Sequence, residues 1–319
     1  MRGDKVVLFW SKYDQVLDVE LHSWRNREIS VNPSHILSLQ SHIKFGHDIH
    51  LYTYQPIPHG LPEQVTVHDA DEIFPARHAW SALNRGHSIA HISDLVRFRG
   101  AVLDGGIVLD MDAIVINELP DLAKYFCTMP AKATGGVAPQ WGTAHPPFTI
   151  HDDSWDGKAL SAFPVKVDQE TAEDILTLAT VIENSLARPP KKDSKAWNYV
   201  LWTIKELSRN HPDAKIFPPI KTCPVPSWMG AGKCYTTESP TRLDGSNTVF
   251  GYTLPSTDEI LAESYIVQHF FESAFQGVAQ ETNPATFWFD IPQNSLIGLI
   301  AQRTVGDRWR TILPNLTRQ

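Results

Sequence analysis

Two aspartates one residue apart, Asp110 and Asp112, stand directly after the apolar run Ile107-Val108-Leu109. Carboxylates held that close repel each other unless a cation lies between or near them, and hard oxygen donors of this kind suit Mg²⁺ or Mn²⁺. In extended chain, residues two apart project to the same side, so both acids are expected to emerge together at the carboxyl end of a strand. Open α/β sheets gather their ligands at that edge. The interval from Asp94 to Asp110 is 16 residues, and Arg97 follows Asp94 by three with Ser93 beside them. On a helix that spacing puts an acid and a base on one face, where both can reach toward a ligand. Taken alone, the aspartate pair also reads as a strand end carrying two solvated acids.

Several elements must exist to position these side chains. Ile89, Ile92, Val96 and Leu103 recur at helical intervals and predict one buried helix face. The turn Asp104-Gly105-Gly106 ends that helix, and Ile107-Val108-Leu109 predicts a short strand covered on both faces. Upstream, residues 6–10 predict a buried first strand. Asn32-Pro33 opens a helix carrying Ile36, Leu37, Leu39 and Ile43, Gly46 closes it, and residues 49–54 predict a second strand. Residues 65–67 add a further strand and residues 114–116 an edge strand. Strand, helix and strand in 55 residues imply an α/β class with a parallel sheet.

Beyond the pair, residues 133–147 and 222–247 read as long loops rich in Gly, Pro, Ser and Thr. His145, His151, Asp152, Asp153 and Trp155 could meet an acceptor there, or form a solvated polar segment. Helices are expected over 169–186, with Ile175, Leu178 and Ile182 aligned, over 195–208, and over 292–303. Residues 216–220, interrupted by prolines, predict an edge strand, and residues 265–271 a late strand that carries His269.

The composition narrows the partners. With 36 acidic against 28 basic residues and a formal charge of -8, the chain of 319 residues lacks the basic surface that nucleic acid needs. No run approaches 18 apolar residues, so no transmembrane segment is expected, although peripheral contact with a membrane is open. Cys127, Cys223 and Cys234 have no zinc-type spacing, which favours free thiols and a cytoplasmic setting; a Cys223 to Cys234 disulfide is the other possibility.

The run SDLVRFRGAVLDGGIVLDMD, residues 93–112, resembles the donor site of GT-A glycosyltransferases that combine a Ser-Asp-x-x-Arg helix, a Gly-Gly turn and a DxD strand. Relatives of that kind include capsular polysaccharide, α-1,4-galactosyl and fungal α-1,6-mannosyltransferases, and more distantly the glucosylating bacterial toxins. Val108 and Asp104 depart from the aromatic residues, or His, that many of them have near those places. The resemblance implies a GT-A type, Rossmann-like mixed sheet flanked by helices, with one catalytic domain over 1–319. Its donor-binding part would span about 1–130, acceptor-side loops and helices about 131–260, and a closing segment about 261–319.

It further implies a retaining transferase moving a hexose from a nucleotide diphosphate sugar, a UDP-sugar favoured, to a hydroxyl of a glycan or glycolipid, with Mn²⁺ or Mg²⁺ as cofactor. Asp112 becomes the direct metal ligand, Asp110 serves ribose and metal-bound water, and His269 is a third ligand. Asp94 holds sugar hydroxyls and Arg97 sugar or phosphate oxygens. Phe9, Trp10, Asp69, Ser93, Gly105 and Gly106 complete the donor site, and Asn198 is a further candidate. Asp69 also suits a helix cap, and Trp10 a place in the core. Two rivals remain: a haloacid-dehalogenase-like phosphatase with Asp110 as nucleophile and Asp112 as acid-base, and a noncatalytic nucleotide-sugar-binding protein.

Overall fold

The computed structural model describes residues 4–13, 20–122, 124–129, 159–160, 165–189, 210–225, 248–249, 252–268 and 291–316. The expected loop over 133–147 with His145, the nearby His151, Asp152, Asp153 and Trp155, the helix over 195–208 with Asn198, most of the loop over 222–247, and His269 lie outside them.

The first strand, β1 (Lys5–Phe9), alternates two ways: Val6 and Leu8 enter one core, Val7 and Phe9 the other. Both faces are apolar, so β1 is interior, as a continuous run demands. A short helix, α1 (Leu21–Arg25), precedes α2 (Pro33–Lys44), whose entry follows from its first residues. Asn32 accepts from the His35 backbone N–H, the His35 ring accepts in return from the Asn32 N–H, and Pro33 needs no hydrogen-bond partner at that position. Strands β2 (Asp48–Thr53) and β3 (Val65–Asp69) follow, then α3 (Ala76–Asn84) and α4 (Ile89–Asp104). After them come β4 (Gly106–Val108), β5 (Ala113–Val115), β6 (Tyr125–Met129), β7 (Ala159–Leu160), β8 (Val165–Val167), α5 (Ala172–Leu186), β9 (Lys215–Phe217) and α6 (Pro219–Thr222). The chain continues through β10 (Thr248–Val249), β11 (Tyr252–Thr253), α7 (Thr257–Glu263), β12 (Ile266–Gln268), α8 (Leu296–Val305) and α9 (Trp309–Leu316).

The main sheet has the order β3-β2-β1-β4-β8-β6-β7, with β9 beside β6. β3, β2, β1 and β4 are mutually parallel, whereas β8 runs antiparallel to β4. It is a Rossmann-like mixed sheet flanked by helices. On one face α2, α8 and α9 bury Ile36, Leu37, Ile297, Ile300 and Trp309 against Leu8, Leu51 and Ile107. On the other, α3, α4 and α5 bury Leu83, Leu95, Phe98 and Leu178 against Val7, Tyr52 and Val108. Each such side chain contributes roughly 1.5–3 kcal/mol on burial.

Two local expectations change. Leu103 is 71% exposed, while Leu95, Phe98 and Ala101 are buried. α4 lies between the sheet and α5 and is enclosed on both sides, so a one-face pattern understates it. Residues 216–220 are not one strand: β9 stops at Phe217 and Pro219 opens α6, a position where its missing N–H costs nothing.

Gly105 caps α4 with φ +73°, and Gly106 starts β4 with φ +108°. A Cβ on Gly106 would lie 2.4 Å from the Lys5 carbonyl oxygen, so β1 and β4 approach only because that position is bare. Gly106→Ala combines a left-handed backbone penalty with a backbone clash and should cost about 2 kcal/mol of unfolding free energy. Urea denaturation checks this; a loss below about 0.5 kcal/mol would refute the reading.

Candidate active site at the carboxyl edge of β4

The parallel strands carry their chain into one edge, and at that edge β4 meets α4. Leu109 still donates to the Val7 carbonyl, 3.2 Å away, but the extended chain ends there. Asp110 to Ala113 then form a turn closed by the Ala113 N–H on the Asp110 carbonyl at 3.1 Å. The expected extended pair is thus replaced by a turn, which frees β5 to leave the main sheet and pair with β12.

Arg97 organises the edge. Its Nη2 donates to Asp94 Oδ1 at 2.9 Å, its Nη1 donates to the Leu109 carbonyl at 2.5 Å and lies 2.5 Å from Asp110 Oδ1, and its Nε donates to the Ser93 carbonyl. Spacing alone would let Asp94 and Arg97 project from an open helix face. Instead they are 0% and 2% exposed, beneath the edge, because α5 covers the far side of α4. A charge that deep persists only with a partner, and one guanidinium fork serves both acids and a strand-end carbonyl.

Asp94 Oδ2 is buried without a hydrogen-bond partner among the described residues. Burial pushes the Asp94 carboxyl up to about 7, Arg97 pulls it back only in part, and the Asp110 charge adds to the rise. Near neutral pH it can therefore accept or donate a hydrogen bond at Oδ2. Asp110 is about one third exposed and Asp112 half-buried. Asp112 lies within electrostatic reach of Cys223, whose thiol burial pushes up to about 12. Cys223 is a free thiol.

The other expected donor residues divide. Ser93 gives its backbone carbonyl to Arg97 Nε. Phe9 is buried at the end of β1, edge-on to Tyr54 at 5.9 Å. Trp10 turns to the opposite face and packs edge-on against the His35 ring of α2 at 4.1 Å. Asp69 caps the 3₁₀ turn Ala70–Glu72 through the Asp71 N–H and pairs with Arg25 at 2.6 Å, so its cap role is realised. Gly105 and Gly106 do not join the site. Both sit at the other end of β4, where Gly105 supplies the left-handed cap of α4 and the bare Gly106 lets β1 approach at Lys5.

An aromatic group lies outside what the sequence signals. Trp24 stacks on Trp80 at 5.5 Å, touches Tyr54 and donates its Nε1–H to the Lys12 carbonyl, while Tyr13 meets the Trp80 edge. These residues come from separate segments, after β1 and β2 and in α1 and α3. No short pattern announces such a group, because its members meet only through the parallel sheet.

Among the described residues no cluster of three or more His, Cys, Asp or Glu could hold a metal. Asp110 and Asp112 still fit Mg²⁺ or Mn²⁺, which take one or two carboxylates and fill the shell with phosphate oxygens and water. No helix among the described residues is long and apolar enough to cross a membrane.

No protein-family model matches the chain, and no curated protein matches it. Solved structures do match, 19 chains among them. One, "PaToxG Glycosyltransferase", aligns with a TM-score of 0.35 and 13% identity over 66% of this chain and 70% of that chain, a likeness too distant to carry function across.

Proposed function

We propose that the chain is a metal-dependent glycosyltransferase of GT-A type that moves a hexose from a nucleotide diphosphate sugar, a UDP-sugar favoured, to a hydroxyl of a glycan or glycolipid. The observation that carries this reading is the Asp94-Arg97-Asp110 chain, which runs from a buried carboxylate oxygen with no hydrogen-bond partner among the described residues to the partly exposed Asp110-Met111-Asp112 turn. Asp94 Oδ2 suits a sugar hydroxyl, and the turn suits a cation shared with pyrophosphate oxygens. Asp112 is assigned as direct ligand and Asp110 as the group toward ribose and metal-bound water. His269 is assigned as the third ligand; the support is that Gln268 pairs with Ala113, the residue after Asp112.

Breaking the anomeric bond leaves extra negative charge on the diphosphate. When bound, Mn²⁺ or Mg²⁺ supplies the positive charge that opposes it. Arg97 fixes Asp110 and thereby the turn, and its guanidinium keeps positive charge close to the same edge. Retention of anomeric configuration rests on the family resemblance. The phosphatase alternative needs Asp110 as a free nucleophile, whereas Arg97 Nη1 holds that carboxylate at 2.5 Å.

A panel of UDP- and GDP-sugars with Mn²⁺, followed by release of free nucleotide, tests the reading. One donor should turn over, by transfer or slow hydrolysis, and chelation should stop it. Asp112→Ala should lower the rate by several hundredfold, since one unit charge pair near the surface is worth ~4 kcal/mol and ~1.4 kcal/mol is tenfold. Phosphate release from simple phosphomonoesters without any nucleotide-sugar turnover would instead favour the phosphatase.

A further inference from the structure

Among the described residues, the strand that follows the aspartate turn is bonded on only one side by another strand. β5 pairs antiparallel with β12, Ile114 opposite Val267, and Ile116 donates to the Tyr265 carbonyl at 2.9 Å. In an antiparallel ladder alternate residues turn their backbone groups to opposite edges, so Ala113 and Val115 face away from β12. Both residues are buried, and an unpaired backbone group there would carry a large desolvation cost.

Helix α2 takes the place of the missing strand. Ser38 Oγ donates to the Ala113 carbonyl at 2.6 Å, and the Val115 N–H donates to Ser41 Oγ at 2.9 Å. Ser41 in turn donates to the Ser38 carbonyl at 2.6 Å, so its hydroxyl both gives and receives. Both serines are fully buried, three residues apart on one helix face. α2 is itself anchored by α8 and α9, including Lys44 Nζ donating to the Arg303 carbonyl.

Ala113 is thereby pinned twice. Its N–H closes the turn on the Asp110 carbonyl, and its own carbonyl is held by Ser38. Asp112 lies between Asp110 and Ala113, the two ends of that turn. We propose, on the reading of function above, that Ser38 and Ser41 are positioning residues that hold the Asp110-Met111-Asp112 turn in the form that binds the divalent cation. A helix with buried serines sets the aspartate turn where a neighbouring strand would ordinarily do so.

The test is a calorimetric titration of Mn²⁺ in the presence of UDP, with thermal melting alongside. Ser38→Ala should raise the Mn²⁺ dissociation constant roughly tenfold, the low end of what indirect support of metal ligands is worth. Ser256→Ala removes a surface cap on α7, where Ser256 accepts from the Glu259 N–H; it should lower Tm by a comparable amount and leave Mn²⁺ binding as in wild type. Ser38→Thr, which keeps the hydroxyl, should restore binding toward wild type. If Ser38→Ala does not fold, Ser41→Ala gives the same reading through the loss of the Val115 contact. Wild-type Mn²⁺ affinity in a folded Ser38→Ala or Ser41→Ala protein overturns this inference alone. A wild-type protein that binds no Mn²⁺ with UDP overturns the proposed function, and this inference with it.

Discussion

Arg97→Met is expected to cost about 3–5 kcal/mol of folding stability, the range for removing one partner from a buried ion pair. The guanidinium is 2% exposed and meets Asp94, which is 0% exposed, as well as Asp110 and the Leu109 carbonyl. Met fills much of the stem's volume, so the loss is electrostatic rather than a cavity. What remains is a buried carboxyl with both oxygens unpaired and a strand-end carbonyl without its donor. Replacing both members, in Arg97→Met with Asp94→Leu, should recover most of the loss, because no charge is then left in the interior. Without Arg97 the Asp94 carboxyl rises further and stays protonated in the folded state, while in the unfolded chain it ionises at its ordinary value. A raised carboxyl contributes stability at low pH that is lost as pH climbs. Measured against wild type, the single variant should therefore be weaker at pH 8 than at pH 5. Urea midpoints for the single and double variants at both pH values decide the matter. A double variant no more stable than the single one would show that Arg97 acts through packing and not through its charge.

The same burial explains how much of the molecule can be read from its residues. Elements with local signals are legible. Both-face apolarity marks β1, the Asn32-Pro33 pair marks the start of α2, the glycine turn ends α4, and the aligned Ile175, Leu178 and Ile182 mark α5. The helix face that includes Leu103 misleads, because periodicity reports which residues can share a face, not how many faces are covered. α5 covers the second face from a distant part of the sequence.

The site is legible as a set of residue types and less so as an arrangement. Asp94, Arg97 and Asp110 do meet, but Asp94 and Arg97 do so inside the protein rather than on a surface, since a spacing of three is the same for a solvated pair and a buried one. Asp110 and Asp112 read as extended because the preceding residues prefer strand. The Ala113 N–H closes the turn instead, and β5 departs toward β12 and α2. Gly106 suggests a backbone left bare for a ligand and is bare for a strand as well: the same absent Cβ serves either purpose, and the position of Lys5 reveals the second. Ser38 and Ser41 give no signal at all. Serines in a helix look like a polar face until the strand they bond is known.

His42→Gln should flatten the acid limb of the stability curve, although the variant starts out weaker at neutral pH. His42 is fully buried on α2, and its Nδ1 lies 2.9 Å from His47 Nδ1 in a shared hydrogen bond. Burial pushes His42 from its ordinary 6.5 down to about 3, the neighbouring His47 adds to the fall, and the Ala113 carbonyl offsets part of it. His91 is lowered to about 4, chiefly by burial and then by His87, and burial also lowers His47, with Asp4 opposing and Lys166 adding. A ring kept neutral in the fold binds its proton first in the unfolded chain. The stability it contributes is complete above the unfolded value and drains away as pH falls toward the folded one. From His42 alone the loss should reach about 3 kcal/mol between pH 7.5 and pH 4, at ~1.4 kcal/mol for each pH unit below the unfolded value. Asp94 works in the opposite direction, because its raised carboxyl takes up a proton in the folded state as pH falls through about 7. The whole-protein curve therefore sums opposing slopes, and the difference between wild type and variant isolates the histidine. Gln cannot titrate, yet it can still bond the His47 ring, so the variant should lose about 3 kcal/mol less than wild type over that interval. Urea midpoints at pH 7.5, 6 and 4 measure the difference. Parallel losses in the two proteins would mean that His42 is already protonated in the fold, and that the enclosure of α2 against β5 admits water.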